Sequence, residues 1–202
     1  MRYLRPLWAL IVTCACGTSP QVDEQVLSEE ERTTALAKGD TITQATFAAL
    51  TQRLQLAMAD GGPVNAVDQC QSAARPITDS LSVHYGVRIK RTSARLRSSA
   101  NRPDAHEQER LREALAHMAA GNSASALGPQ VFLLGDSVAY YRPILITSPL
   151  CLKCHGSPGM ELDSAAHALV TERYPGDAAV GYALGDLRGY WSVRWPRTRV
   201  PR

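Results

Sequence analysis

Residues 131–147 read VFLLGDSVAYYRPILIT, in which two runs of apolar and aromatic residues flank Gly135 and Asp136. Gly and Asp favour the tight turns that join antiparallel strands, so this stretch predicts a β-hairpin. Residues 87–93 predict a further strand, because Val87, Ile89 and Arg91 alternate with Arg88, Lys90 and Thr92. Residues 181–195 predict another pair of strands around a second Gly-Asp sequence. An antiparallel sheet is therefore the expected centre of the fold.

Helical patterns precede and interrupt these strands. Residues 43–59 carry apolar side chains at helical spacing, and the Gly-Gly-Pro sequence at residues 61–63 should break that helix. A second helix is expected over residues 64–81, with Pro76 bending it or ending its regular part. Residues 103–121 predict another helix, which starts at an aspartate N-cap and stops at a glycine. The order of elements predicts an α+β fold, with helices first and one helix crossing the sheet.

The first sixteen residues are typical of an export signal. Arg2 and Arg5 precede an apolar run that ends in small residues and cysteines. The run is much shorter than the roughly 20 apolar residues that cross a bilayer. Its end resembles the lipobox of bacterial lipoproteins, in which a cysteine becomes the lipidated first residue. Cys16 is the preferred lipidated residue and Cys14 the alternative. The sequence therefore predicts a lipid anchor on a bacterial membrane, facing the periplasm, with plain secretion as the other possibility.

Domain boundaries and charge follow from this signal. Residues 1–15 are expected to be the signal, residues 16–40 a flexible tether and the start of a helix, and residues 41–202 a single domain. The chain has 22 basic and 19 acidic residues, so without the two arginines of the signal the balance is 20 minus 19, or +1. A nearly neutral protein gives no electrostatic reason to expect a nucleic acid partner.

The sequence Cys151-Leu152-Lys153-Cys154-His155 carries the clearest chemistry. Two thiols at this spacing can add to the two vinyl groups of one haem, and the adjacent histidine then supplies an axial nitrogen to the iron. The export signal supports this prediction, because haem is attached in the periplasm. A disulfide or redox-active pair is the first alternative. A zinc ribbon is the second, although it would need another pair of cysteines that the sequence lacks.

Cys70 is left over once the other cysteines are assigned to signal, lipid and haem. It lies on the apolar stripe of a predicted helix, so it is either a buried thiol that fills the core or a thiolate on the sixth position of the iron. An open sixth position is a third possibility. His84 is the best rival ligand, and the other histidines and methionines considered are His106, His117, His167, Met118 and Met160. His106 and His117 are expected to face solvent, because they lie on a charged helix.

Further motifs are spread over residues 43–193. They are Arg91-Thr92-Ser93 followed by Arg97, the run Tyr141-Arg142-Pro143-Ile144 that leads to the cysteine motif, the sequence YPGDA at residues 174–178, and the sequence GDLRG at residues 185–189. This combination resembles a family of c-type haem domains with a PAS-like fold. Domains of that family occur as free proteins and as sensor regions of bacterial histidine kinases.

The resemblance implies a PAS-like antiparallel sheet with N-terminal helices and a single covalent haem c. It also implies that Cys70 is the second axial ligand, opposite His155. Arg91, Arg97 and Arg142 are candidates to pair with the haem propionates, because guanidinium groups bind carboxylates well.

Three functions fit this description. The first is a membrane-tethered haem protein that senses redox state or a small gas. The second is a low-potential electron carrier, and the third is a haem enzyme such as a peroxidase. No kinase segment follows the haem domain before Arg202, so a signal is expected to pass to a separate redox or signalling partner.

Overall fold

The computed structural model describes residues 26–198. Within this range, four α-helices accompany a four-stranded sheet. The helices are α1 (Glu29–Tyr85), α2 (Ala105–Ala119), α3 (Pro149–His155) and α4 (Ser164–Arg173). The strands are β1 (Arg88–Thr92), β2 (Gln130–Leu134), β3 (Ser137–Leu145) and β4 (Leu187–Pro196). None of the helices described is both long enough and apolar enough to cross a membrane.

Helix α1 begins at Glu29, inside the segment expected to hold a tether and the start of a helix. The Ser28 hydroxyl accepts the backbone N–H of Glu31, and the Glu31 carboxylate accepts the backbone N–H of Ser28. This capping box satisfies N–H groups that the first helical turn would otherwise leave unpaired. Ala35 and Ile42 are already buried in the core, so the packed unit begins before the boundary expected at residue 41.

Helix α1 is kinked where the break was predicted. Gly61 and Gly62 leave helical geometry, and Gly62 has a φ of 68°, which glycine adopts without the clash that a Cβ would cause. Pro76 does not end the regular part of the helix, because helical backbone angles continue past it to Tyr85. Pro76 and Ser72 are both exposed, so water can hydrogen bond to the Ser72 carbonyl that lacks its N–H donor.

All neighbouring strands are antiparallel, in the order β1-β4-β3-β2. The predicted hairpin is confirmed as β2 and β3, joined at Gly135 and Asp136. The second predicted pair of strands is wrong, because only β4 forms in that region. The backbone N–H groups of Gly181 and Tyr182 bond instead to the carbonyls of Gly156 and His155, at 2.8 and 2.9 Å. The loop before β4 therefore packs against the end of α3.

Helices cover both faces of the sheet. On one face, α1 packs on alternate residues of the strands, among them Tyr140, Trp191 and Val193. On the other face, α2 crosses between the two edge strands and packs on residues such as Tyr141 and Tyr190. The predicted helix over residues 103–121 is confirmed as α2, with Asp104 as its N-cap. The architecture confirms the expected α+β, PAS-like fold with N-terminal helices and one crossing helix.

Candidate functional site

A cavity of about 290 Å³ lies between α1, one end of the sheet and α3. Its walls are mostly apolar, with side chains such as Leu54 and Val67 from α1 and Trp191 from β4. Besides hydroxyl and amide side chains, it is lined by three thiols, one imidazole and three guanidinium groups, which belong to Cys70, Cys151, Cys154, His155, Arg91, Arg97 and Arg188. The fold therefore brings the cysteine motif together with residues from distant parts of the chain.

The short helix α3 presents the cysteine motif to this cavity. The Ser148 hydroxyl caps the helix by accepting the backbone N–H of Leu150, and Pro149 occupies its first turn, where no N–H donor is needed. Cys151, Cys154 and His155 are three and four residues apart, so they share one side of the helix. The helix ends directly after them at Gly156.

His155 has a defined tautomer. Its Nδ1 lies 2.7 Å from the carbonyl oxygen of Ala179, which can only accept a hydrogen bond. Nδ1 therefore carries the proton and Nε2 carries a free lone pair. Burial, together with the charges of Arg188 and Arg97, holds the pKa of His155 well below its usual range. A neutral imidazole with a free Nε2 is the form that coordinates a metal ion.

Cys70 reaches the same cavity from α1, just beyond the kink. Its thiol is half-buried, and burial raises its pKa while the charges of Arg91 and Arg53 oppose that rise. Burial also raises the pKa of the Cys154 thiol. The three cysteines of residues 26–198 form no disulfide bond, and no three His, Cys, Asp or Glu side chains in that range converge on a metal position. The disulfide and zinc alternatives thus gain no support from the geometry.

The rival axial ligands lie elsewhere. His84 is exposed at the end of α1, and Met160 is 76% exposed. The expectation that His106 faces solvent is wrong, because its ring stacks on Tyr141 under α2 and is partly buried. His117 is partly buried as well. None of the rival ligands considered from the sequence lines the cavity: His84, His106, His117, His167, Met118 and Met160.

The arginines of the cavity differ in how they are engaged. Arg91 and Arg188 are the two that pair with no carboxylate of residues 26–198. Burial lowers the pKa of Arg91. Arg188 was not predicted as a site residue; burial lowers its pKa to about 10, its Nη1 donates to the carbonyl of Arg95, and its Nε has no hydrogen-bond partner. The Nε of Arg97 also lacks a partner, but its Nη2 donates to the Asp177 carboxylate and to two carbonyl oxygens. Arg142 does not line the cavity, because its guanidinium pairs with Asp40.

The residues present fit a covalently attached haem. The two thiols lie on one helical face, the imidazole beside them has its Nε2 free, and a third sulfur, that of Cys70, lines the cavity from α1. The unpartnered Nε of buried Arg188 adds a donor suited to a carboxylate. These features agree with the attachment that the sequence predicts at Cys151 and Cys154.

Comparison with known proteins gives one similar solved structure and one matching family. A solved structure described as that of the cyanobacterial haem protein Tll0287 superposes with a TM-score of 0.57 and 19% sequence identity, covering 87% of this chain and all of that one. At this identity the likeness concerns the fold. No curated protein matches the chain. The model of the Tll0287-like family matches residues 21–196, a range that contains every helix and strand described and the whole cavity. The chain therefore belongs to the Tll0287-like family.

Proposed function

We propose that this chain is a haem-binding protein in which Cys151 and Cys154 hold one haem c. Each thiol adds its S–H across one vinyl group: a sulfur–carbon bond forms, the hydrogen goes to the neighbouring carbon, and no oxidant is consumed. The observation that carries the proposal is the joint placement of both thiols and the free Nε2 of His155 in one cavity. The family and the similar haem protein support it.

The chain offers two axial ligands. His155 Nε2 is the first, and its orientation is fixed by the hydrogen bond to Ala179. The second is the Cys70 thiolate, since no other histidine, methionine or cysteine outside the attachment motif lines the cavity within residues 26–198. The bound haem supplies a redox-active iron, and a thiolate ligand stabilises its ferric state and lowers its potential.

Two arginines are proposed to bind the propionates. Arg91 and Arg188 both line the cavity and have donors that no carboxylate of residues 26–198 engages. Guanidinium groups form strong paired hydrogen bonds with carboxylates. Arg188 thus replaces Arg97 and Arg142 in the set expected from the sequence, because Arg97 is paired with Asp177 and Arg142 is paired with Asp40 outside the cavity.

The biological role we propose is that of a redox or small-gas sensor in the periplasm. It would be tethered by a lipid on Cys16, which lies outside the described residues, and would pass its signal to a separate protein. A simple electron carrier is the second candidate, favoured by the observation that Cys70 and His155 line the same cavity and could together fill both axial positions. A haem enzyme has less support, because a full axial set leaves no position for substrate.

Acid–acetone extraction tests covalent attachment. Haem should stay with the polypeptide in the parent chain and leave it in a Cys151→Ala/Cys154→Ala double variant. Cys70→Ala is the matched control, because it removes a thiol from the same cavity without breaking either thioether bond. Haem that extracts freely from the parent would contradict the proposal. Mass analysis of the mature N-terminus tests the lipid, and an unmodified start beyond Gly17 would contradict the anchor.

A further inference from the structure

Arg97 makes contacts that a propionate-binding residue would not need. Its Nη2 lies 2.6 Å from the carbonyl oxygen of Cys154 and 3.2 Å from that of Ala179. The same nitrogen lies 3.0 Å from a carboxylate oxygen of Asp177, in an ion pair whose two side chains are 15% and 6% exposed. One guanidinium therefore bridges the end of α3 to the loop over residues 177–179.

Asp177 closes this arrangement from the other side. Its second carboxylate oxygen accepts the backbone N–H of Ala179 at 2.9 Å. Both backbone polar groups of Ala179 are thus hydrogen bonded: its N–H donates to Asp177, and its carbonyl accepts from Arg97. That carbonyl is also the acceptor for Nδ1–H of His155, at 2.7 Å.

We infer that Arg97 and Asp177 are positioning residues that hold the Ala179 carbonyl where it orients His155. The inference rests on the proposed haem function, since it assigns these residues to the support of the axial histidine. A hydrogen bond from the outer nitrogen of a ligating histidine fixes its ring plane and increases its strength as a donor. Neither residue touches the imidazole; both act through the backbone of residue 179.

The inference also explains why Arg97 is an arginine. All three contacts are made by one nitrogen, Nη2. A lysine at this position would keep the positive charge, but its side chain ends one bond short of the Nη2 position, so its ammonium could not hold the same three oxygen atoms. A variant that keeps the charge therefore separates positioning from the simple electrostatic effect of a cation near the iron.

The test compares Arg97→Lys in the haem-loaded full chain with Arg197→Lys. Arg197 is a suitable control because it also forms a partly buried arginine–carboxylate pair, with Glu31, at the opposite end of the sheet. Solvent exchange of the His155 Nδ1–H is measured by NMR in the reduced, carbon monoxide-bound protein. Arg97→Lys should accelerate this exchange by about two- to ten-fold, the factor that corresponds to the loss of one typical hydrogen bond. The control should match the parent.

The reduction potential gives a second readout. Loss of the Nδ1–H bond makes His155 a weaker donor, so the potential of Arg97→Lys should rise although the charge is unchanged. If Arg97→Lys does not fold, Asp177→Asn is the decisive variant, and it too should accelerate the exchange. If the haem-loaded variants keep the exchange rate and the reduction potential of the parent, the inference about Arg97 and Asp177 is wrong, and the proposed haem function is unaffected. Absence of covalent haem from the parent chain would overturn the proposed function, and the inference with it.

Discussion

Cys70 is the residue whose chemistry decides what the cavity can do. It is half-buried on α1, it faces the same cavity as His155, and the charge of Arg91 acts on its thiol. A buried thiol that merely fills space would be replaceable by alanine at little chemical cost. A thiolate bound to iron would not be replaceable in this way, because alanine could not supply the axial ligand.

Replacement of Cys70 by alanine should therefore leave covalent haem in place but change the ferric absorption spectrum and raise the reduction potential. The physical reason is the loss of an electron-donating ligand that stabilises ferric iron. Spectroelectrochemistry measures both effects. His84→Ala is the control, because His84 is exposed and lies outside the cavity. A Cys70→Ala variant with the spectrum and potential of the parent would make Cys70 a core residue.

Tyr140 gives a prediction about alkaline stability. Burial raises the pKa of its phenol to about 12, and a hydrogen bond to Asp40 adds to the rise. The folded state thus keeps a proton that the unfolded chain releases at its ordinary pKa of 10.0. The contribution to stability is complete below pH 10 and is lost as the pH rises towards 12.

Urea denaturation between pH 9 and pH 12 should show this loss in the parent chain and a smaller one in Tyr140→Phe. Tyr85→Phe is the control, because Tyr85 packs against the same core cluster. Other buried tyrosines also have a raised pKa, so part of the dependence should remain in Tyr140→Phe. Identical pH profiles for Tyr140→Phe and Tyr85→Phe would contradict the assignment.

Among the elements, α1 depends most on close packing. Gly39 lies against the ring of Tyr140, and a Cβ at that position would come within 2.2 Å of the ring. Gly39→Ala should therefore force α1 away from the sheet and destabilise the protein by about 1–3 kcal/mol. Gly128→Ala is the matched control, because a Cβ there meets no atom within 4 Å. Chemical denaturation measures the difference, and equal stability of the two variants would contradict the packing described.

The sequence predicted the elements that have clear periodicity, turn residues or cap residues, and missed the short helices α3 and α4. The hairpin and α2 carry clear periodicity and turn or cap residues, so both were found. Helix α3 has only seven residues, which is too few for a periodic signal. Helix α4 is rich in alanine and shows little contrast between its faces, although Asp163 caps it by accepting two backbone N–H groups.

The roles of the arginines could not be read from the sequence for a different reason. Whether a guanidinium is free depends on partners that are distant along the chain. Arg97 pairs with Asp177, which is 80 residues away in the sequence, and Arg142 pairs with Asp40, which is 102 residues away. No local sequence pattern predicts either pair. Arg188 lies in a glycine-rich run that was noted only as a motif. By contrast, Cys151, Cys154 and His155 are neighbours in sequence, so their joint placement was predictable.

The whole molecule assembles one site from four separate segments. Helix α1 contributes Cys70, β1 contributes Arg91, α3 contributes the attachment motif, and β4 contributes Arg188. The kink at residues 61–63 lies between the part of α1 that buries Ala35 and Ile42 in the core and the part that carries Cys70. Helix α3 and the loop that supports it hold His155 on the other wall. In the proposed haem-bound protein, release of Cys70 or His155 from the iron would therefore change the contact between two elements, which is a change that a partner protein could detect.

The two proposed roles differ in what reduction should do to this contact. A thiolate binds ferric iron more strongly than the more electron-rich ferrous iron, so reduction should loosen Cys70 if the protein is a sensor. The reduced parent chain should then bind carbon monoxide, while the Cys70→Ala variant should bind it more rapidly because no ligand has to leave. Absorption spectra of the reduced protein, with and without carbon monoxide, measure both. Rapid electron exchange without any binding of carbon monoxide in the parent would contradict the sensor and favour the electron carrier, because the population of a released Cys70 would then be too small to report the redox state.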